Sequence, residues 1–171
     1  VLPLAVLAVF PFVEWMIHVV VLHWRPRRIG GVTIDPLLGR KHRQHHADPR
    51  IVKLIFIPLE SLAGAFAAAL LTAWVLIPRT GLGLTFLVVV FGIGLVYEWS
   101  HYLVHTDYKP KTWFYRTIHR NHRLHHFKNE HYWFAVTTPG VADRALGTYP
   151  DPQSVPTSPT AKNLHGQRVS A

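Results

Sequence analysis

Three long apolar stretches organise the chain, at about Leu2–Trp24, Leu54–Ile77 and Leu82–His105. As a helix the second would be about 36 Å long, enough to cross a hydrocarbon core of about 30 Å. Only Pro78-Arg79-Thr80-Gly81 separates the second stretch from the third, which predicts a tight helical hairpin. The first stretch does not read as a cleaved signal peptide, because it lacks a basic leader and carries Glu14 and His18 inside the apolar run. The chain opens on Val1 rather than Met, which reads as a fragment with upstream residues missing. Polar segments fill the remainder. Residues 25–50, with Pro26, Gly30-Gly31, Pro36, Gly39 and Pro49, predict a loop holding one short helix over 40–47. Residues 110–130 predict an interfacial helix opened by Pro110, with Trp113, Phe114, Ile118 and Leu124 as apolar contacts. Beyond Tyr149 the chain turns polar and proline-rich, the pattern of an extended or disordered tail. The expected fold is all-α and integral to the membrane. Three transmembrane helices and a cytoplasmic helical cap make one domain over 1–149, followed by a tail over 150–171.

Composition narrows the class. Hydrophobic residues make up 49% of the 171 positions and charged residues only 16%, yet 18 Lys and Arg against 9 Asp and Glu leave a net charge of +9. A soluble nucleic-acid binder would account for the charge but not for the apolar runs, so no nucleic-acid partner is expected. The basic residues bracket the spans on one side. Arg25, Arg27, Arg28, Arg40, Lys41, Arg43, Arg50 and Lys53 lie between the first two, and Lys109, Lys111, Arg116, Arg120 and Arg123 follow the third. The hairpin loop carries Arg79 alone. The positive-inside rule then puts residues 25–53 and 107–171 in the cytoplasm, against anionic headgroups. With no cysteine, the chain has no disulfide, thiolate metal ligand or cysteine nucleophile.

Thirteen histidines carry the chemistry, and ten of them fall into four boxes. His18 and His23 form H-x4-H, and His42, His45 and His46 form H-x2-HH. His101 and His105 form H-x3-H, and His122, His125 and His126 form a second H-x2-HH. On a helix, positions i, i+3 and i+4 share one face, so each H-x2-HH box is expected to point its three imidazoles to one side. His18 and His23 do not share a face of a regular α-helix, so either the helix ends there, or it contains a π-bulge, or the pair is the weakest of the four boxes. The boxes either end spans or lie in the cytoplasmic segments, so all ten imidazoles converge at one depth. Glu14-Trp15 before His18 and Glu98-Trp99 before His101 mark a weak internal repeat with five histidines per half. Two adjacent metal ions in related ligand fields suit that arrangement. Glu14 and Glu98, carboxylates inside apolar spans, are read as acceptors for an imidazole N–H. His119, His131 and His165 are not assigned to the site.

Imidazole suits zinc, copper, iron and nickel, but a structural zinc site needs four ligands, not ten. The boxes, their order and their spacing resemble the fatty acid hydroxylase/sterol desaturase superfamily of integral-membrane di-metal oxygenases. The resemblance extends from Glu14 to about Thr148. It includes Asn129-Glu130-His131-Tyr132-Trp133-Phe134-Ala135-Val136-Thr137-Thr138 and Asp143 through Leu146-Gly147-Thr148. Relatives often carry Phe-Gly at Phe134-Ala135 and Trp-Asp at Ala142-Asp143, departures that remove no ligand. The box spacing is closest to the fatty acid 2-hydroxylase branch, since carotenoid ring hydroxylases usually have H-x4-H as the third box.

The resemblance implies two iron ions held by His18, His23, His42, His45, His46, His101, His105, His122, His125 and His126, with zinc as an ion the same imidazoles accept on isolation. It also implies O2 as co-substrate, an external ferredoxin- or cytochrome-type electron donor docking on the basic face, and hydroxylation of a membrane lipid or fatty acyl chain. A carotenoid or sterol hydroxylase or desaturase is the alternative within the superfamily. Outside it, a metal transporter would spread its ligands along a crossing path, and a haem electron-transfer protein would use isolated histidines on facing helices. Single-cysteine labelling tests the orientation. Position 79 is expected to react with an impermeant reagent in intact cells and position 44 to stay protected; the reverse pattern would invert the topology.

Overall fold

The computed structural model describes residues 1–77 and 79–166. Pro78 of the hairpin loop and residues 167–171 of the expected tail lie outside the described residues. The chain is mostly helical, and three of its helices are long and apolar enough to span a membrane: Leu2–Leu22, Val52–Leu76 and Thr80–Val104.

Helix α1 covers Leu2–Met16 and runs without interruption into a π-helical segment, Ile17–Leu22. The His23 N–H bonds the His18 carbonyl at 3.0 Å, an i→i−5 link, so the extra residue per turn brings both side chains to one face. Of the alternatives that the H-x4-H spacing leaves open, the π form is the one adopted.

The second span departs from a continuous helix. It divides into α3, Val52–Ile55, and α4, Leu59–Leu76, with Phe56 extended at ψ 147. Pro58 disfavours helical backbone at the residue before it and supplies no N–H for the Leu54 carbonyl. The break leaves the Ile55 carbonyl and the Ile57 N–H free for other partners, a consequence the apolar pattern alone does not reveal.

Between the first two spans lie an antiparallel hairpin, β1 (Arg27–Ile29) and β2 (Val32–Ile34), and helix α2, Leu37–Ala47. Gly30 and Gly31 turn the hairpin with φ of 56 and 83, which suits glycine. The expected loop thus contains a short ribbon, and the helix is longer than the predicted 40–47. Arg43, 4% exposed, ties this region together: its Nη2 donates to both Asp35 carboxylate oxygens at 2.7–2.8 Å and its Nη1 to the Trp24 carbonyl.

Helix α5, Thr80–Val104, is the third span, and both α1 and α4 pack against it. Helix α6, Trp113–Phe127, is capped by Thr112, whose hydroxyl accepts from the Tyr115 N–H. It buries Ile118 and leaves Trp113 and Phe114 exposed, as an interfacial helix would. Helix α7, Val141–Ala145, follows.

Residues 150–166 do not form the extended or disordered tail expected. Val155, Ala161 and Leu164 are buried, the Ser158 N–H bonds the Lys128 carbonyl at 2.7 Å, and the Asn129 side chain donates to the Pro156 carbonyl. Prolines stiffen the segment, and its few apolar side chains suffice to fold it back as a strap.

The distribution of burial is inverted relative to a soluble domain. Fully buried positions concentrate around the histidines, with Trp133, Val136, Ala142 and Ile118 at 0–1% exposure, while Leu71, Trp74, Val88 and Leu95 on the spans stay exposed to lipid. Gly140, at φ 85 before α7, lies where an added Cβ would come within 2.5 Å of the Tyr149 ring. Gly140→Ala is therefore expected to destabilise the protein by about 2 kcal/mol, read as a lowered Tm in detergent. An unchanged Tm would show that this corner yields freely.

Candidate metal centre

All ten box histidines meet at one end of the spans. They form two groups of five: His18, His23, His42, His46 and His125, and His45, His101, His105, His122 and His126. Within each group the candidate ligand nitrogens lie within 4.8 Å of one another. His23 and His105 are half-buried and the other eight are buried.

The grouping corrects the expectation that each H-x2-HH box faces one way. His42 and His46, one turn apart on α2, join the first group, while His45 between them turns to the second. His122 and His126 on α6 join the second group, while His125 turns to the first. Each half of the repeat contributes four histidines to one group and lends its middle box histidine to the other. The arc spanned by positions i, i+3 and i+4 is wide enough to reach both, because the two groups lie side by side: the His46 and His126 rings stack at 4.0 Å.

Four backbone carbonyls fix the imidazoles. His18 Nδ1 donates to Phe134 O at 2.7 Å and His125 Nδ1 to Tyr132 O at 2.9 Å. His46 Nδ1 donates to Ala161 O and His101 Nδ1 to Ile55 O, both at 2.8 Å. A carbonyl only accepts, so these four rings carry their proton on Nδ1 and present Nε2 as a bare lone pair.

Glu14 and Glu98 do not accept from an imidazole, contrary to expectation. Glu14 accepts from the Val136 and Thr137 N–H groups at 2.8 and 2.9 Å and from the Thr137 hydroxyl at 2.6 Å. Glu98 accepts from the Ile57 N–H at 3.1 Å. The two carboxylates do corresponding jobs: each braces the irregular segment whose carbonyl orients the nearby histidine, Phe134 for His18 and Ile55 for His101. Free N–H groups in those segments are available to the carboxylates, whereas the ring N–H of His18 and of His101 is already committed to a carbonyl. Asp143 adds to the first brace by accepting from the Phe134 and Ala135 N–H groups at 2.9 Å and from Thr148. Trp15 donates to that same Thr148 hydroxyl, whereas Trp99, its counterpart in the repeat, is exposed.

The sequence offered no direct sign of the four carbonyls. Pro58, inside a stretch read as one continuous span, was an unused signal of the break that frees Ile55, and the Asn129–Thr138 stretch holds Tyr132 and Phe134. Ala161 had no signal at all. Of the unassigned histidines, His165 donates from Nε2 to the His23 carbonyl, His131 lies exposed beside Glu130, and His119 is half-buried; none joins either group.

The donor set fits metal ions. His18 Nε2 and His101 Nε2 are buried with no partner among the described residues, as are both ring nitrogens of His126. Other Nε2 atoms crowd in pairs at 3.0–3.2 Å: His23 with His125, His42 with His46, and His105 with both His45 and His122. Nitrogens bonded at about 2.1 Å to one ion and set at right angles would lie about 3.0 Å apart.

The model of the family described as fatty acid hydroxylase matches residues 3–148. The chain belongs to the fatty acid hydroxylase family. No curated protein and no solved structure matches it significantly. Family membership makes the chain an oxidoreductase and accords with a histidine cluster able to hold metal. The strap over 150–166, which brings Ala161 O to His46, lies beyond the matched residues.

Burial holds His42, His46, His122 and His126 well below the ordinary histidine range, and neighbouring imidazoles push the same way. Burial also takes His125 down to about 4, against the opposing bond to Tyr132. These rings are neutral at pH 7, the form that binds metal. Unfolding returns each to a value of about 6.5, so below that pH the unfolded chain takes up protons the folded one refuses. Stability is therefore expected to be flat above pH 7 and to fall below pH 6.5 by up to about 1.4 kcal/mol per pH unit for each such histidine. Thermal unfolding in detergent at pH 7.5, 6.5 and 5.5 measures this; a Tm independent of pH would contradict it.

Proposed function

We propose that this fatty acid hydroxylase family member inserts one oxygen atom from O2 into a C–H bond of a lipid acyl chain, near its carboxyl or amide carbon. The balance is R–H + O2 + 2 e⁻ + 2 H⁺ → R–OH + H2O. The observation that carries the reading is the gathering of ten box histidines into two neighbouring groups of five at one end of the spans. Bound there, two iron ions would supply O2 activation and attack on the C–H bond.

The protein's own part is to hold and shield. The first ion would be held by His18, His23, His42, His46 and His125, and the second by His45, His101, His105, His122 and His126. The carbonyls of Ile55, Tyr132, Phe134 and Ala161 keep four of these rings in the Nδ1–H tautomer, so each offers Nε2 without reorientation. The buried Phe134 ring lies 5.2–5.6 Å from the rings of His18, His23 and His125 and shields that group from water. A site at the end of the spans lies near the headgroup layer, which favours carbons close to the lipid head over a methyl terminus. The 2-hydroxylase-like box spacing supports the same position.

Electrons would come from an acidic ferredoxin or cytochrome on the cytoplasmic side. A cavity of about 360 Å3 lined by Arg50 and Arg123 against the single acidic Asp48 reaches His105 of the second group and gives such a donor a net basic approach.

Elemental analysis of detergent-purified protein is expected to find two metal ions per chain, with iron supporting turnover. Lipids from cells expressing the chain or its His45→Ala variant, compared under 18O2, are expected to show one labelled oxygen on C2 of an acyl chain only with the unaltered protein. Label confined to a sterol or carotenoid ring would overturn the substrate. A metal-free, folded protein would overturn the chemistry.

A further inference from the structure

Helices α1 and α4 each pack on α5, and between them lies a cavity of about 280 Å3. Its inner end is His18 of the first histidine group, with Ile57 and Tyr97 beside it. Apart from Glu14, His18 and Tyr97 its walls are hydrocarbon or glycine. The Glu14 carboxylate is engaged by Val136 and Thr137 and offers the cavity no free charge. Each of the three helices places one aromatic residue at the far end: Phe10 on α1, Phe66 on α4 and Phe91 on α5. Phe66 and Phe91 stack there, with ring centroids 5.0 Å apart and planes at 29°.

Phe10 precedes His18 by eight residues and Phe91 precedes His101 by ten, so the aromatic floor lies about 12–15 Å along the helix axes from the histidines, the length of about ten to twelve extended methylenes. Gly94 stands between, one turn closer to the histidines than Phe91. A Cβ there would meet no atom within 4 Å, and the residue lines the cavity. A glycine inside a helix costs about 1 kcal/mol against alanine, and here its missing side chain keeps the passage open.

We propose that this cleft holds a linear acyl chain, that Phe10, Phe66 and Phe91 close it, and that Gly94 sets the length it accepts. The occupant is a linear chain because the cleft follows three helix axes, is walled by hydrocarbon and glycine apart from Glu14, His18 and Tyr97, and ends on the histidine group. This rests on the oxygenase reading for the chemistry at its mouth, but the cleft itself can be tested without turnover.

Fatty acids bearing a diazirine on the terminal carbon, in a series of chain lengths, can be photo-crosslinked to the protein in lipid nanodiscs. Chains of about twelve to fourteen carbons are expected to label peptides containing Phe10, Phe66 or Phe91. Gly94→Leu should reduce that labelling about tenfold and shift the preferred length down by about four carbons, one helical turn. Phe91→Ala should shift it upward. Unchanged metal content in each variant reports an intact fold, and should Gly94→Leu fail that check, Gly94→Ala and Phe91→Ala carry the comparison. Labelling confined to the outer face around Trp74, or one length profile for all variants, would overturn the proposal.

The same chains incubated with donor under 18O2 separate the two readings. Floor labelling without labelled product would sink the oxygenase and leave the cleft. Hydroxylation with a length profile indifferent to positions 91 and 94 would sink the cleft and leave the oxygenase.

Discussion

The donation of four imidazole N–H groups to main-chain carbonyls is the interaction on which the rest of this structure depends. Ten neutral imidazoles in one volume have no reason to gather without metal: each loses water, and their lone pairs face one another. The bonds from His18, His46, His101 and His125 to Phe134, Ala161, Ile55 and Tyr132 offset part of that cost and assign every one of these rings a tautomer. Carbonyls free to do this cannot lie inside helices, where they are already paired. The fold must therefore bring irregular backbone against the helical boxes, and three separate segments serve that end: the break before Pro58, the stretch before α7, and the strap beyond Tyr149.

Those irregular segments need support of their own, which explains carboxylates inside apolar spans. A Glu at position 14 or 98 would be a liability if it faced lipid. Instead, Glu14 gathers two N–H groups and a hydroxyl, and Glu98 gathers the Ile57 N–H. Correspondence between the halves is thus one of function, carboxylate to backbone to carbonyl to imidazole, rather than of direct contact. It is incomplete: Asp143, Thr148 and Trp15 reinforce the first brace, and Trp99 reinforces nothing. The exchange of His45 and His125 between groups locks the halves together, since neither half can complete a group of five alone.

The same economy shapes the membrane part. Side chains on α4 and α5 remain largely exposed because lipid receives them as well as protein would. Tight packing is spent at the histidine end, where polar groups must be enclosed. The spans hold that end at one depth and leave between α1 and α4 a hydrocarbon-lined cleft that opens onto His18.

Three apolar spans, the hairpin between the second and third, and ten histidines converging at one end are all legible in the amino-acid order. These are local or short-range properties: hydropathy over some twenty residues, and the angular period of a helix. It also posed the question of the H-x4-H box correctly, since five residues cannot share an α-helical face, and the His23 to His18 bond answers it with a π segment. Tertiary structure alone decided which histidine joins which group, because positions i, i+3 and i+4 span an arc that two adjacent groups can divide. It decided the partners of Glu14 and Glu98, which are backbone N–H groups and the Thr137 hydroxyl, up to 123 residues away in the chain. It also folded residues 150–166 back onto His46 and His23, which polar, proline-rich composition does not foretell. Composition reports how much apolar surface a segment can bury, whereas a single carbonyl placed 2.8 Å from an imidazole depends on every element that positions both.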